Sequence, residues 1–305
     1  MRRVLAGLAL IAALAAGGEA VARSILFVGN SFTYGFGTPI RRFHPERVVD
    51  LNREGVGGVP ALFRTFADQA GGGWEVSLET AGGQDLAFHL EQRAPLIERP
   101  WDVVVLQGHS VLDPLRPGDP ARHVAAARGL ADLVARANPR VRVYLVSTWP
   151  RADLAWQPGS PWSGKPLAAL PETVDAANRL AVAGRPAMAP PVPVGQAWLR
   201  AIEQDLADPN PYDGVAYGQV NLWTWDSYHA STEGYYLEAL VLFGAITGID
   251  PRSLGPAERA ADELGMNPAV TVRLQQAAAS ALGLPPPPGG VPLRKVPEPP
   301  RKPAG

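Results

Sequence analysis

The sequence of 305 residues contains no cysteine and has only 19% charged residues. Without cysteine the protein has no disulfide bonds, no thiolate metal ligands and no cysteine nucleophile. The formal net charge is -1, so the chain has no basic excess that would favour nucleic acid as a partner. Hydrophobic residues make up 46% of the chain, which is enough apolar material for one sizeable core.

The first 22 residues have the pattern of a secretory signal peptide. Arginine occupies positions 2 and 3, an apolar run covers residues 4–16, and residues 20–22 read Ala-Val-Ala. The run is shorter than the ~20 residues that a membrane-spanning helix needs. We therefore predict cleavage after residue 22 and an exported protein, periplasmic or secreted, with no transmembrane segment after cleavage.

The last 21 residues, 285–305, are dominated by proline. Such a segment favours extended polyproline conformations and cannot build a core. We predict a disordered tail here, which leaves residues 23–284 as a single folded domain.

Short apolar runs alternate with helical patterns through this domain, while residues 151–171 read as a loop rich in Trp, Pro and Gly. The pattern predicts strands over residues 24–28, 74–78, 102–106, 141–147 and 192–194, and helices over residues 59–70, 85–96, 120–137, 172–183, 197–206 and 231–247. This alternation predicts an α/β fold with three α/β/α layers, in which helices cover both faces of a parallel sheet. In such sheets, sites form beyond the carboxyl ends of the strands.

Ser31 directly follows the first predicted strand, within LFVGNSFTYG at residues 26–35. A serine that begins a helical turn has a free backbone N–H, which can bind an anion. Its hydroxyl needs a histidine base, itself oriented by a carboxylate, to act as a nucleophile. His229 follows Asp226 by three residues before the last long predicted helix, and this spacing allows an imidazole–carboxylate hydrogen bond. On its own this short spacing favours a turn capped by Asp226 and a surface histidine.

The blocks occur in an order that resembles the SGNH/GDSL hydrolase superfamily over residues 24–250. Its first block, G-D-S after a strand, appears here as Gly29, Asn30 and Ser31, and its last block, D-x-x-H, appears at residues 226–229. The resemblance implies a flavodoxin-like fold and a hydrolase domain at residues 23–284. It also implies Ser31 as nucleophile, His229 as base and Asp226 as its orienting carboxylate, with no cofactor and no metal.

The oxyanion hole implied by the resemblance is less completely defined. Besides the N–H of Ser31, the family uses a glycine N–H, which corresponds here to Gly82 or Gly83. The asparagine of the family's third block, G-x-N-D, has no counterpart in LQGHS at residues 106–110. A side chain among Gln107, His109 and Ser110 is the candidate for that donor, since an amide, an imidazole or a hydroxyl can each serve.

Ser110 is also a rival nucleophile. Gly108, His109 and Ser110 resemble the start of the nucleophile elbow of α/β-hydrolases. That motif requires glycine two residues after the serine, where this chain has Leu112, and it leads into a helix, where this chain has DPLRPGDP. The sequence therefore favours Ser31.

The resemblance implies a serine esterase that hydrolyses carboxylic esters through an acyl-enzyme. Export and the tryptophans at positions 149, 156, 162, 223 and 225 favour acyl groups on polysaccharides, since aromatic rings suit sugar stacking. Packing of these rings onto the core is the competing interpretation. An O-acyltransferase with the same triad and an inactive glycan-binding relative are the alternatives, and no metal-ligand motif is present.

Overall fold

The structure is a computed structural model that describes residues 22–286. The predicted signal peptide and tail lie outside the described residues, apart from Ala22 and the first two prolines of the tail. Within the described range, no helix has both the length and the apolar character needed to cross a membrane.

Five parallel strands form one sheet. In chain order they are β1 (Arg23–Gly29), β2 (Val49–Asp50), β3 (Trp74–Thr80), β4 (Val103–Leu106) and β5 (Arg142–Leu145). Their order across the sheet is β2-β3-β1-β4-β5. The short edge strand β2 was not predicted, because a two-residue strand leaves no alternating pattern in the sequence.

The described residues contain eleven α-helices. They are α1 (Ser31–Tyr34), α2 (Gly58–Gln69), α3 (Leu86–Gln92), α4 (Ala94–Ile97), α5 (Ala121–Ala137), α6 (Ala152–Trp156), α7 (Ala169–Val182), α8 (Val194–Glu203), α9 (Thr232–Thr247), α10 (Arg259–Glu263) and α11 (Pro268–Ala281). Short 3₁₀ helices cover Pro39–Arg42, Pro45–Arg47 and Pro251–Leu254.

The two faces of the sheet are buried against different helices. On β1, Ile25 and Phe27 join the cluster formed with α2, α8, α9 and α11. Leu26 and Val28, which point to the opposite face, pack with α3, α4, α5 and α7. Because successive side chains of a strand alternate between faces, a continuous apolar run is what a strand covered on both sides requires. The predicted three-layer α/β/α fold is confirmed.

Some predicted elements differ from the structure. The predicted helix over residues 85–96 is divided into α3 and α4 at Arg93, because Pro95 has no N–H to continue the hydrogen-bond ladder. The predicted strand 192–194 is wrong: Val192 makes one bridge to Val146, and Val194 already begins α8. The predicted loop 151–171 contains α6 and the start of α7.

The C-terminal helix α11 was not predicted, although its start has a clear signal. The side chain of Asn267 caps the helix by accepting a hydrogen bond from the N–H of Ala269, and Pro268 occupies the first helical position. Asparagine followed by proline is a typical helix start. The helix packs on α8 and α9 and completes one outer layer.

The strand order creates a crevice at the carboxyl end of β1. After β1 the chain adds β2 and β3 on one side of β1, and it then crosses to add β4 and β5 on the other side. The loops after β1, β3 and β4 therefore meet at this edge of the sheet, where ligands bind in open α/β folds. Ser31, the first residue of α1, and the residue groups 82–84 and 107–110 in the loops after β3 and β4 lie at this edge.

Candidate active site

Ser31 is the first residue of α1, two residues after the end of β1. The side-chain oxygen of Asn30 caps this short helix by accepting from the N–H of Phe32 at 3.1 Å. The Ser31 N–H donates to no other group within residues 22–286, as expected for the first turn of a helix. Ser31, the candidate nucleophile, is also buried, with only 5% of its surface exposed. Its side chain therefore lies in a protected position beside its own free backbone N–H.

Ser31, His229 and Asp226 form one hydrogen-bonded chain. His229 Nε2 lies 2.9 Å from Ser31 Oγ, and His229 Nδ1 lies 2.6 Å from Asp226 Oδ2. With Asp226 ionised, Nδ1–H donates to the carboxylate and Nε2 is left to accept from the serine hydroxyl. The fold thus brings together three residues of which the first and last are 198 positions apart.

Asp226 is held in its ionised form. Its partial burial opposes ionisation, but hydrogen bonds from the side chain and N–H of His229, from the Thr224 hydroxyl and from the N–H of Tyr228 outweigh that effect. Together they lower the pKa of Asp226 to about 2. At neutral pH the residue is therefore a fixed negative charge behind the imidazole.

Aromatic rings fix the position of the imidazole. The rings of Phe36 and Tyr228 lie 4.3 Å and 4.1 Å from the His229 ring, centroid to centroid. His229 is only 7% exposed, so the surrounding side chains restrict rotation of its ring. Because its two nitrogens are bonded and its ring is packed, the imidazole is held toward Ser31.

Trp149, which follows β5, connects the serine and histidine segments. Its ring stacks on Phe32 with centroids 3.9 Å apart, and its Nε1–H donates to the carbonyl of Tyr228 at 3.1 Å. Phe32 follows Ser31 in the chain, and Tyr228 precedes His229. The sequence suggested Trp149 only for sugar stacking, because both of these contacts join residues that are far apart in the chain.

Tyr235 of α9 also holds the segment that carries Ser31. Its buried hydroxyl donates to the carbonyl of Ser31 at 3.1 Å, and its ring contacts Trp149 edge-on. Burial raises the pKa of Tyr235 well above its ordinary value, so the hydroxyl keeps its proton. A tyrosine four residues after a helix cap, on a strongly apolar helix, gives no sequence signal for this contact.

Asn30 holds the three loops of the crevice together. Its Nδ2 donates to the carbonyl of Gln84 at 2.9 Å and to that of Gly108 at 3.4 Å. An aspartate, the residue of the family motif, has no N–H to donate to these carbonyls when it is ionised. Asparagine is therefore suited to this version of the crevice.

Gly82 and Gly83 lie in the loop that Asn30 contacts. Their N–H groups donate to no other group within the described part of the chain. A side chain at Gly82 would come within 3.0 Å of the Tyr34 hydroxyl. Gly83 has φ of 71°, in the left-handed region that favours glycine, and has open space beside it. Both glycines remain candidates for a donor next to Ser31.

The three side-chain candidates after β4 differ in burial. Gln107 is buried; its Oε1 accepts from the N–H of Asn30 at 3.0 Å and from Thr33, and its Nε2 donates to Gly108. Ser110 is also buried and accepts from Arg151 at 3.2 Å. His109 is half-buried, so it is the most accessible of the three.

His109 is kept neutral by its surroundings. Burial and the nearby charge of Arg151 lower its pKa, against the opposing effect of Asp85 and Asp113. Its Nδ1 accepts from the N–H of Val111 at 3.4 Å, which leaves the proton on Nε2. A neutral imidazole with a free Nε2–H is a hydrogen-bond donor.

The tryptophans considered for sugar stacking are mostly packing residues. Trp149, Trp162 and Trp223 are buried and Trp156 is half-buried, whereas Trp225 is 83% exposed. Four of the five rings are thus committed to the protein interior. Within residues 22–286, no group of three or more His, Cys, Asp or Glu side chains is arranged to hold a metal ion.

Two solved structures are similar to this chain. A DUF4886 family protein from Bacteroides uniformis is 16% identical, with 86% of this chain and 95% of that chain covered and a TM-score of 0.60. A putative GDSL-like lipase from Parabacteroides merdae is 16% identical, with 74% and 95% covered and a TM-score of 0.52. No protein-family model and no curated protein matches the sequence.

Similarity at this level of identity shows a shared fold. The chain has the α/β/α fold of the SGNH/GDSL hydrolase superfamily, which the resemblance in sequence implied.

Proposed function

We propose that the protein is a serine-dependent carboxylic ester hydrolase. The observation that carries the proposal is the hydrogen-bonded chain from Ser31 Oγ through His229 to Asp226, with distances of 2.9 and 2.6 Å. Nucleophile and base lie within the 2.6–3.2 Å reach that such a pair needs, and a carboxylate orients the base. The fold shared with a putative GDSL-like lipase agrees with this activity.

In the first half of the reaction, Ser31 Oγ attacks the ester carbonyl carbon while His229 Nε2 takes the hydroxyl proton. The carbonyl oxygen becomes an oxyanion in the tetrahedral intermediate. The protonated imidazole is stabilised by Asp226, which stays ionised. Collapse of the intermediate breaks the bond to the alcohol oxygen, which leaves with the proton from His229.

In the second half, water attacks the acyl carbon and gives one proton to His229 Nε2. The resulting intermediate expels Ser31 Oγ, which regains that proton, and the carboxylic acid is released. The same base therefore serves both halves, and no electron transfer is involved.

The oxyanion is stabilised by donors from all three loops of the crevice. We assign to it the N–H of Ser31, the N–H of Gly82 or Gly83, and His109 Nε2–H as the side-chain donor. His109 is favoured over Gln107 and Ser110 because those two are buried and bonded within the protein. Donors fixed in advance by the fold cost no reorganisation when the charge develops.

A matched pair of serine variants tests the proposal. Ser31→Ala and Ser110→Ala each remove one hydroxyl after a parallel strand, and p-nitrophenyl acetate reports ester cleavage without a demanding substrate. We expect Ser31→Ala to lose about 10⁴-fold or more in kcat, and Ser110→Ala to keep most of the wild-type rate. Full activity in Ser31→Ala would refute the proposal.

A further inference from the structure

A cavity of about 810 Å³ opens beside the glycine loop of the crevice. It lies between α3 and residues 113–116, and its lining includes Gly83, Gln84, Asp85, Phe88, Leu115 and Arg122. Its volume falls within the ~300–1,000 Å³ that is usual for small-molecule sites. Gly83 is a candidate for the backbone oxyanion donor, but none of the lining side chains has a role in the bond-breaking chemistry described above.

The cavity is connected to the segment of the nucleophile through one hydrogen bond and through Gly83, a candidate oxyanion donor. Gln84 lines it, and the carbonyl of Gln84 accepts from Asn30, the residue before Ser31, at 2.9 Å. Because Gly83 belongs both to this lining and to the candidate oxyanion donors, the cavity is the one we consider for a substituent of an ester held between Ser31 and the glycine loop.

The charges that line the cavity are largely neutralised by one another. Arg122 Nε lies 2.6 Å from Asp85 Oδ2, and Arg116 lies 3.2 Å from Asp113. Glu91 is 3.9 Å from Arg122. Three carboxylates and two guanidinium groups thus leave no strong field of either sign, which argues against an anionic or cationic ligand.

The cavity also has unused hydrogen-bonding groups. The side chains of Gln84 and Gln92 are exposed and bond to no other residue in the part of the chain that the structure describes. An amide offers two N–H donors and one carbonyl acceptor. Together with the carboxylates, these amides can donate to and accept from hydroxyl groups.

Three apolar side chains, Phe88, Pro114 and Leu115, complete the lining. Phe88 is half-buried, and Leu115 is 90% exposed at the rim. A sugar ring presents both C–H surfaces and hydroxyl edges, so it matches a lining that combines apolar side chains with amides, carboxylates and guanidinium groups. A long acyl chain does not match it, because hydrocarbon against these polar groups would remove them from water without new hydrogen bonds.

We propose that this cavity is a subsite for the alcohol part of the ester and that this part is a neutral saccharide. The assignment rests on the proposed esterase function of Ser31 and specifies its substrate class. The acyl group is then directed away from the cavity, toward the opposite side of the crevice.

Binding of unmodified sugars tests the subsite separately from catalysis. Neutral oligosaccharides (xylo-, manno- and chito-oligosaccharides) and anionic oligogalacturonate are titrated into the Ser31→Ala protein by calorimetry. We expect at least one neutral oligosaccharide to bind and oligogalacturonate to bind at least tenfold more weakly. No binding by any neutral sugar, or preference for the anionic one, would overturn the saccharide assignment.

Variants at the cavity then locate the bound sugar. The double variant Gln92→Ala/Leu115→Ala removes an amide and an apolar wall, and neither residue contacts Ser31, His229 or Asp226. Leu180→Ala is the matched control, because Leu180 is 53% exposed on α7 and does not line the cavity. We expect at least a tenfold weaker affinity in the double variant and unchanged affinity in the control, with similar melting temperatures for both. Unchanged affinity in the double variant would refute this location.

Turnover distinguishes the sugar from an acyl chain. The ratio of kcat/KM for an acetylated form of the bound oligosaccharide to kcat/KM for p-nitrophenyl acetate should fall at least tenfold in the double variant. A selective loss on p-nitrophenyl octanoate instead would mean that the cavity holds the acyl chain. If Ser31→Ala keeps full esterase activity while the sugar still binds at the cavity, the proposed function of Ser31 and the assignment of the cavity to the alcohol part both fail, and only the sugar-binding site stands.

Discussion

The loops after β1 and β4 each present a serine beyond a buried strand, yet only one of them meets a base. Ser31 begins a helix and lies 2.9 Å from His229 Nε2. Ser110 is bonded to Arg151, and the chain after it passes through Leu112 with φ of 69° before the next helix begins at Ala121. A serine after a parallel strand is therefore not sufficient for a nucleophile; the local helix start and the distant imidazole decide.

The difference arises from packing as well as from hydrogen bonds. The β1 side is held by Trp149 and Tyr235, which join Ser31 and its neighbours to the loop that carries His229. The β4 side contributes its half-buried His109, which we assign to the oxyanion. In the proposed mechanism the β1 side supplies the nucleophile and one backbone oxyanion donor, and the β4 side supplies a side-chain oxyanion donor.

Removing the base should give the largest effect. His229→Ala leaves Ser31 without a proton acceptor, so we expect a loss in kcat of about 10⁴-fold or more on p-nitrophenyl acetate. His44→Ala is the control, since His44 bonds to Glu46 and Glu263 on the surface and should keep the wild-type rate. A small loss of kcat in His229→Ala would show that His229 is not the base, and Ser31 would then have no advantage over Ser110 as a nucleophile.

Removing the donor assigned on the β4 side should have an intermediate effect. His109→Ala deletes one oxyanion donor, and we expect kcat to fall about 10²–10³-fold, with a smaller change in KM. Ser110→Ala, one residue away, should change kcat far less. If the order of these two variants were reversed, the side-chain donor would be Ser110.

Loosening the connection between the serine and histidine segments should have a smaller effect. Trp149→Phe keeps an aromatic ring against Phe32 but loses the hydrogen bond to the carbonyl of Tyr228. We expect kcat to fall about 10- to 100-fold, because small misplacements of catalytic groups are costly, while KM stays near its wild-type value. Trp198→Phe, whose buried Nε1 has no bonding partner within the described residues, is the matched control. Equal losses in both variants would indicate a packing effect alone.

The smallest effect concerns stability in acid. The pKa of Asp226 is lowered to about 2 from an ordinary value of 3.8, so its ionised form stabilises the fold above pH 4. That contribution is lost as pH falls toward 2. In urea titrations, the free energy of unfolding of wild type relative to Asp226→Asn should fall as pH decreases from about 5 to 2 and stay nearly constant just above pH 5. A difference that is flat through pH 2 would show that Asp226 has no lowered pKa.

The sequence predicted the features that depend on local patterns. Apolar runs identified the four longer strands, and Ser31 and the pair Asp226 and His229 were visible because each belongs to a short motif. Pro95 shows the limit of an interpretation based on periodicity alone. The apolar pattern runs through it as one helix, but α3 ends at Gln92 and Pro95 lies in the first turn of a separate helix, α4. The helix α11 was missed despite its Asn267–Pro268 start.

The long-range contacts that hold the site in place could not be predicted in the same way. Trp149 and Tyr235 act through contacts to residues roughly 80 to 200 positions away, and no spacing in the sequence reports such pairs. The cavity beside Gly83 likewise combines side chains from α3, α5 and the loop after β4. These features exist only once the sheet order has brought the three loops to one crevice.

The most direct test of the central claim is to identify the serine that a fluorophosphonate probe modifies. The probe reacts with a serine whose hydroxyl is activated by a base, and peptide mass spectrometry locates the modified residue. We expect modification at Ser31 in the wild-type protein and loss of that modification in His229→Ala. Modification at Ser110, or none at Ser31 in the folded wild-type protein, would contradict the account.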